Sequence, residues 1–543
     1  MTTRMTGGEA IVESLLLHGI DTLYGIPGVQ TYGLFDALYR RRDRIRVIHP
    51  RHEQATAYMA FGHAKSTGRI GAYSVVPGPG MLNASAAVCS AYGASTPIIG
   101  ITGQTPSEFI GSGKGHLHEL PDQLLTMRTI MKWAARIDHP GEAPATIAEA
   151  FRQMSTGRPR PVAVEMPWEV FTVSAPVTLV PPPARYAQLE ADPDLIERAA
   201  QLLQGARNPM IMVGGGAQHA AAEVRELAEL LQAPVVAWRS GRGIVGEDHY
   251  CGFNCGSGFR RWGETDALVA IGTRVELQWF RWPAPPRPVP IINIDIDPEQ
   301  MPRVKPAVPV VGEARATTRA LIEAVRRSGK PRASRREEFE AVKARARADF
   351  QKIQPHMAYL DAIRAVLPRD GFFVEEICQT GFTSYFGFPV YEPRSFVTCG
   401  YQGTLGFGYP TALGVKAANP TKPVVSIAGD GGFMFGVQEL ATAVQHRLGV
   451  VAVVFNNGAF GNVMRDQEQR FGGHVIGAEL RNPDFVKLAE SFGLAGYRVS
   501  EPAALRTTLE KALAADAPAL IEVQVDRRAE VSPWEFLTPR PTW

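Results

Sequence analysis

Val424-Val425-Ser426-Ile427-Ala428-Gly429-Asp430-Gly431 is the stretch whose reading decides the fold. It is a short apolar run that stops at a carboxylate. A second run, Val450-Val451-Ala452-Val453-Val454-Phe455, stops at Asn456-Asn457. Unbroken apolar runs of this length suit central strands of a parallel sheet, which are buried on both faces. Between them Val437, Leu440, Ala441, Val444 and Leu448 recur at helical spacing. The segment therefore predicts one βαβ unit with polar residues at its strand ends, where open α/β sheets bind ligands.

The residue types suit a metal and a phosphate. Magnesium takes six oxygens, one or two of them from protein side chains and others from phosphates. Asp430 supplies charge and Asn457 a neutral oxygen, while Gly431 and Gly432 let the backbone come close. Alone, Asp-Gly and Asn-Asn-Gly are ordinary turn signals. Placed together on two apolar strands joined by one helix, they predict a divalent metal held against a diphosphate.

The rest of the chain sets bounds. At 543 residues it is multidomain. Its 45% hydrophobic and 20% charged residues match an ordinary globular protein. The formal net charge is only +3, and basic residues are massed only near 325–347, which argues against nucleic acid as a partner. Cys89, Cys251, Cys255, Cys378 and Cys399 fit a reducing compartment. Cys251 and Cys255 lack the second pair that a zinc site needs. There is no signal-peptide pattern and no apolar run long enough to span a bilayer. The expectation is a cytoplasmic protein without a membrane partner.

Three segments emerge, each reading as a doubly wound α/β domain with a parallel sheet. In residues 1–175, a helix at Ile11–Leu17 and strands at Thr22–Tyr24, Ala72–Val76, Ile98–Thr102 and Pro161–Glu165 alternate with helical stretches. Pro176 and Pro181-Pro182-Pro183 read as an extended linker. In residues 190–330, strands are expected at Met210–Val213, Ala267–Ile271 and Ile291–Ile296. Gly214-Gly215-Gly216 there is either a nucleotide-phosphate turn or a plain tight turn. Residues 331–350, with Arg335-Arg336-Glu337-Glu338, read as a solvated helical connector. Residues 355–543 hold the metal motif and, upstream of it, the glycine-rich stretch Gly400–Gly408.

Arg51-His52-Glu53-Gln54-Ala55, with Phe61-Gly62-His63-Ala64 and Thr67-Gly68 after it, resembles the pyrimidine-binding domain of thiamine-diphosphate-dependent enzymes. Pro77-Gly78-Pro79-Gly80 with Asn83, and Ile101-Thr102-Gly103-Gln104 with Pro106, resemble the acetolactate synthase branch of that family. Gly429-Asp430-Gly431 through Asn456-Asn457 looks like its diphosphate motif. The resemblance covers essentially the whole chain. It implies pyrimidine-binding, central and diphosphate-binding domains in that order, with thiamine diphosphate and Mg2+ as cofactors.

Residue roles follow from the resemblance, position by position. Glu53 hydrogen-bonds the pyrimidine N1′ and favours the imino form that takes the C2 proton; a buried carboxyl suits this because burial raises its pKa. Leu405 matches the apolar prop under the bent cofactor, and the Gly403 carbonyl accepts from its 4′-amino group. Gln379, Gly431, Gly432, Phe460 and Gly461 are cofactor contacts. Asp430, Asn457 and the Ala459 carbonyl are the metal ligands. The family's sites lie between subunits, which implies a homodimer or a dimer of dimers.

The reaction is left open by the same comparison. The acids of pyruvate decarboxylases are replaced by Val29 and Val463, and benzoylformate decarboxylase's histidine and serine by Val76 and Val29. The acceptor-pocket tryptophan of acetolactate synthases is missing from Arg465-Asp466-Gln467-Glu468. The flavin pattern is poorly matched at Gly272–Glu276, so FAD stays an open question. The loop Gly113–Gln123 carries His116 and His118, and an imidazole suits proton transfer near neutrality. His118, His116, Gln123 and Gln30 are the candidate substrate-facing residues. The first expectation is an acetolactate-synthase-like carboligase or lyase on a 2-oxo acid or 2-hydroxy ketone. The alternatives are a non-oxidative 2-oxo-acid decarboxylase, a 1,2-diketone hydrolase and a catalytically silent homologue.

Overall fold

The computed structural model describes residues 2–328, 331–541 and 543. Among them, strands form three six-stranded parallel sheets and one two-stranded antiparallel ribbon. The α/β class with three parallel sheets is as the sequence predicts. The expected domain limit at residue 330 lies outside the described residues.

The chain groups into two compact units. One comprises Met1–Ala187, Cys399–Thr421 and Gly436–Leu448; the other comprises Gln188–Thr398, Lys422–Phe435 and Gly449–Trp543. The first unit holds one sheet, with strands in the order Arg46–Ile48, Thr22–Gly25, Gly71–Val75, Ile98–Gln104, Val162–Pro167 and Trp133–Arg136. Its core gathers Ile11, Leu15, Leu23, Ile99 and Val164, all fully buried, and their neighbours. The helix Glu53–Thr67 packs along Gly408–Ala418 within this unit, with Gly62 against the Thr411 carbonyl.

The second unit holds the other two sheets. The central one runs Gly252–Asn254, Val235–Ala237, Pro209–Val213, Ala267–Ile271, Ile291–Asp295 and Val308–Val311. The C-terminal one runs Phe396–Val397, Phe372–Val374, Val424–Gly429, Val450–Asn456, Ala519–Gln524 and Ala495–Val499. Val424 to Gly429 pair in parallel with Val450 to Phe455, as the opening motif requires. Counted along the chain, the first and third sheets share the order 2-1-3-4-6-5, whereas the central sheet has 3-2-1-4-5-6. In each, the order reverses beside the first strand, and ligands of open α/β sheets bind at that reversal.

Two local expectations change. Ser174–Thr178 is not linker: it pairs antiparallel with Thr2–Thr6, in a register that sets Arg4 opposite Pro176. Proline is tolerated in such a two-stranded ribbon, where one side of each strand has no ladder to complete. The charged connector is a helix, Arg336–Phe350, but it is solvated on one side only. Phe339, Val342, Ala346 and Phe350 recur at helical spacing and are buried.

Candidate active site

The strand reversal of the C-terminal sheet lies between Phe372–Val374 and Val424–Gly429. The first of these leads through Cys378 into the helix Gln379–Gly387, the second into Asp430–Phe433. Gly429 and Cys378 are neighbours, so the two loops meet. Beside them the strand Val450–Asn456 ends at Asn456 and is followed by Asn457. Asp430 is buried; its Oδ2 accepts from the Gly458 amide at 2.9 Å and from Asn482 Nδ2 at 2.6 Å. Desolvation pushes its pKa up, opposed by those donors. Asn457 Nδ2 donates to Glu530 at 2.9 Å, and its Oδ1 accepts from the Ala459 amide at 3.1 Å. Ala459 bridges to Glu479 through the Gly458 and Ala478 carbonyls, a pairing that leaves the Ala459 carbonyl out.

A buried polar layer backs this cluster. Burial pushes the Glu530 carboxyl up to about 7, against the opposing charge of Arg465. His356 is pushed down to about 3 by burial, so its ring is neutral. Its Nε2 lies 3.5 Å from Glu530 Oε1, too far for a good hydrogen bond, and the contact is not an ion pair. His356 Nδ1 meets the Thr380 hydroxyl at 3.0 Å. Arg465 donates to Gln379 Oε1 at 3.0 Å, while Gln379 Nε2 is buried without a partner among the described residues.

In the first unit, Glu53 is the first residue of its helix and accepts from Asn83 Nδ2 at 3.0 Å. It is half-buried rather than buried. A carboxylate at this position is favoured by the helix dipole. The turn before it is held from a distance: Glu439, fully buried, accepts from the Arg51 amide at 3.0 Å, the His52 amide at 3.1 Å and the Thr442 hydroxyl at 2.5 Å. Gly403 has a left-handed φ of +59°, and Thr404 hydrogen-bonds Ser90 at 2.7 Å. Leu405 beside it is half-buried.

Known domain families match the chain in three blocks. The N-terminal thiamine pyrophosphate-binding domain matches residues 5–126, the central domain of the same enzymes 196–321, and the C-terminal thiamine pyrophosphate-binding domain 377–523. The chain belongs to the thiamine-diphosphate-dependent enzymes. Within that family it is 32% identical to a probable 2-ketoarginine decarboxylase of Pseudomonas aeruginosa, over 96% of this chain and 94% of that protein. It is 33% identical to a probable acetolactate synthase large subunit of Methanocaldococcus jannaschii, over 96% and 92%. It is 30% identical to the large subunit of acetolactate synthase isozyme 3 of Escherichia coli, over 98% and 97%. This thiamine-diphosphate-dependent enzyme is thus of the acetolactate-synthase-like transferase and lyase kind.

The residues fit the cofactor's anionic end. A carboxylate, a carboxamide and an unspent carbonyl make an all-oxygen donor set of the kind a hard cation takes. The orphaned Gln379 Nε2 and the nearby Arg465 offer N–H donors where an anion would need them. Gly431 lies against the Phe460 ring, and Gly461 opens the next helix. Gly432 sits in the short helix that Asp430 begins.

The central sheet differs. Gly214 donates to the Ile271 carbonyl at 3.2 Å and Gly216 to the Gly272 carbonyl at 3.1 Å. A Cβ on Gly214 would fall 2.4 Å from the Gly272 oxygen. The triple glycine is a tight turn, accounted for by packing against the next strand's loop with no nucleotide invoked.

The loop residues divide. His116 stacks on Phe109, with ring centroids 5.0 Å apart. His118 Nδ1 instead meets Gln30 Oε1 at 3.0 Å. Gln123 is buried and its amide is spent: Oε1 accepts from Gly78, and Nε2 donates to Gly103 and Glu165. Glu439, Glu530, His356 and Arg465 were not singled out by sequence, which offers no period or motif for them.

Proposed function

We propose that the enzyme forms or cleaves a C–C bond next to the carbonyl of a 2-oxo acid or 2-hydroxy ketone, using thiamine diphosphate anchored through Mg2+. The supporting observation is that Gln379, Asp430 and Asn457 follow the ends of strands at one reversal, with the Gly458 amide on Asp430, the Ala459 amide on Asn457 and Gln379 Nε2 buried without a partner among the described residues. When bound, thiamine diphosphate supplies a nucleophilic carbon that stores the electron pair released from the broken bond. The chain's own part is to bind and to move protons. Asp430, Asn457 and Ala459 hold the ion, and Gln379 with the Gly431–Gly432 backbone holds the phosphates. Glu53 protonates the pyrimidine, with Asn83 fixing one of its oxygens and Glu439 fixing the turn that carries it. Leu405 props the cofactor, and Gly403 accepts its amino group. His118 moves a proton at the substrate oxygen. Gln30 and Gln123 hold the loop that carries His118, and His116 flanks it.

The assembly in this reading is a cytoplasmic homodimer or dimer of dimers, in which Glu53 of one protomer and Asp430 of another serve one cofactor. Its domains are residues 1–175, 190–330 and 355–543. Among the described residues no helix is long and apolar enough to cross a membrane.

The second reading, a 2-oxo-acid decarboxylase, draws on the similarity to the Pseudomonas protein. Incubating the Mg2+-loaded holoenzyme with pyruvate, benzoylformate, benzoin, 2-ketoarginine and 1,2-diketones, with products read by mass spectrometry, separates the two. Acetolactate from pyruvate supports the ligase; free aldehyde with CO2 supports the decarboxylase. No product, together with no H/D exchange at the cofactor's C2, would sink both in favour of a silent homologue.

A further inference from the structure

The seat of His118 contains more order than a surface loop needs. Gln30 sits in the turn Val29–Thr31 and is completely buried. Its Nε2 donates to the Leu117 carbonyl at 3.0 Å, and its Oε1 faces His118 Nδ1 at 3.0 Å. A carbonyl oxygen only accepts, so the amide nitrogen must be the end that faces Leu117. His116 Nδ1 approaches the same carbonyl at 3.4 Å as a further donor, which leaves its acceptor role unchanged. The oxygen of Gln30 is therefore the end that faces His118. An oxygen accepts there too, so Nδ1 carries the proton and, in the neutral ring, the lone pair lies on Nε2. Nε2 has no protein hydrogen-bond partner among the described residues, and the side chain is half-buried.

The backbone is held just as firmly. His118 has a left-handed φ of +66°. Gly78, at φ +59°, lies against it so closely that a Cβ would come 2.6 Å from the His118 oxygen. Gln123 accepts from the Gly78 amide at 2.8 Å and ties it to Gly103 at 3.0 Å and to Glu165 at 2.9 Å. A strained residue kept in place by several neighbours is a mark of functional sites.

We propose that Gln30 is a positioning residue that locks His118 in its Nδ1–H tautomer, so that Nε2 is the nitrogen that takes up and returns a proton at the substrate oxygen. The inference rests on the reading of His118 given above. In the forward direction the substrate O–H proton passes to Nε2 and the ring becomes imidazolium. On return the O–H bond re-forms and the ring is neutral again, with Nδ1–H held on Gln30 throughout.

Nitrogen-15 NMR of histidine-labelled holoenzyme tests the lock directly, with the His118 signals identified by their loss in His118→Phe. The expected wild-type spectrum has Nδ1 protonated and Nε2 bare. Gln30→Leu removes the acceptor and should let Nε2–H predominate. Turnover should fall about tenfold to hundredfold, less than the ~10² to 10⁴ that a general acid–base group supplies, because the ring is turned to the wrong tautomer but not removed. Mg2+-dependent thiamine diphosphate binding should not change, and Gln30→Glu should keep Nδ1 protonated. A wild-type proton on Nε2, or an unchanged tautomer in Gln30→Leu, overturns the proposal. The wild-type spectrum decides even if the leucine variant does not fold. A shifted tautomer with undiminished turnover leaves the lock standing and removes His118 from the reaction, which is a failure of the functional reading alone.

Discussion

The central and C-terminal sheets belong to one compact unit, yet their strand reversals are used in opposite ways. The central sheet has the strand order associated with dinucleotide binding, but its two reversal loops lie on each other, glycine against glycine, with two amides spent on carbonyls. The C-terminal sheet keeps its reversal polar: Gln379 on one side, Asp430 on the other, Asn457 next along. It also bears the electrostatic cost of burying Asp430, Glu375 and Glu530, all with carboxyls raised by burial. The first sheet, with the same strand order as the C-terminal one, carries the Gln30–His118 pair at its own reversal. Topology sets where a crevice can open, and loop side chains decide whether it does.

The largest effect expected from this contrast is at Asp430. Asp430→Ala should weaken Mg2+-dependent cofactor binding by more than about a hundredfold, since even outer partners of metal ligands cost 10–100-fold. Unchanged affinity by calorimetry would break the assignment of the site to this sheet. Next, Glu53→Gln should retain cofactor affinity and lose turnover by on the order of 10² to 10⁴, the usual reach of general acid–base catalysis. Full activity would refute its role as proton donor.

A pH effect separates the sheets further. Glu375 is fully buried and its pKa is raised from 4.5 to about 7, chiefly by desolvation. Between those values the folded state keeps a proton that the unfolded state has lost, so stability falls as pH rises through that window. The loss is on the order of 3 kcal/mol. Urea unfolding of cofactor-free protein at pH 5 and pH 8 should give Glu375→Gln a change more favourable than wild type's by that amount, since Glu530, raised likewise, and the buried His63, His356 and His446, shifted the opposite way, are common to both; a variant with the wild-type slope would contradict the cause. The smallest effect is in the central sheet. Gly214→Ala should cost about 1–3 kcal/mol through overpacking, with thiamine diphosphate affinity untouched. A change in that affinity would mean the two reversals are coupled.

Much of this was legible in the chain because its signals are local. Val424–Gly429 and Val450–Asn456 read as strands because parallel strands are apolar on both faces, and the polar residues that end them mark the site. Glu53 and Asp430 are candidates because short motifs carry them. The strand Ser174–Thr178 was not, because Pro176 reads as a linker until its partner at the N-terminus is known. Three strands of the central sheet, Val235–Ala237, Gly252–Asn254 and Val308–Val311, were not predicted, since runs of three or four residues carry almost no periodicity. Glu439 holds the Arg51 turn across a sequence separation of 388 residues, a relation no local pattern encodes. The spent amide of Gln123 was likewise invisible, because its partners come from separate loops.

The interleaving of the first unit has a consequence for biosynthesis. Its sheet is complete by Ala187, but the helix Gly408–Ala418 that lies along the Glu53 helix, and Glu439 that secures its first turn, leave the ribosome more than two hundred residues later. At about 5–20 residues per second that delay is on the order of tens of seconds. Throughout it, the nascent chain presents an uncovered apolar helix face, a natural landing place for a holdase chaperone.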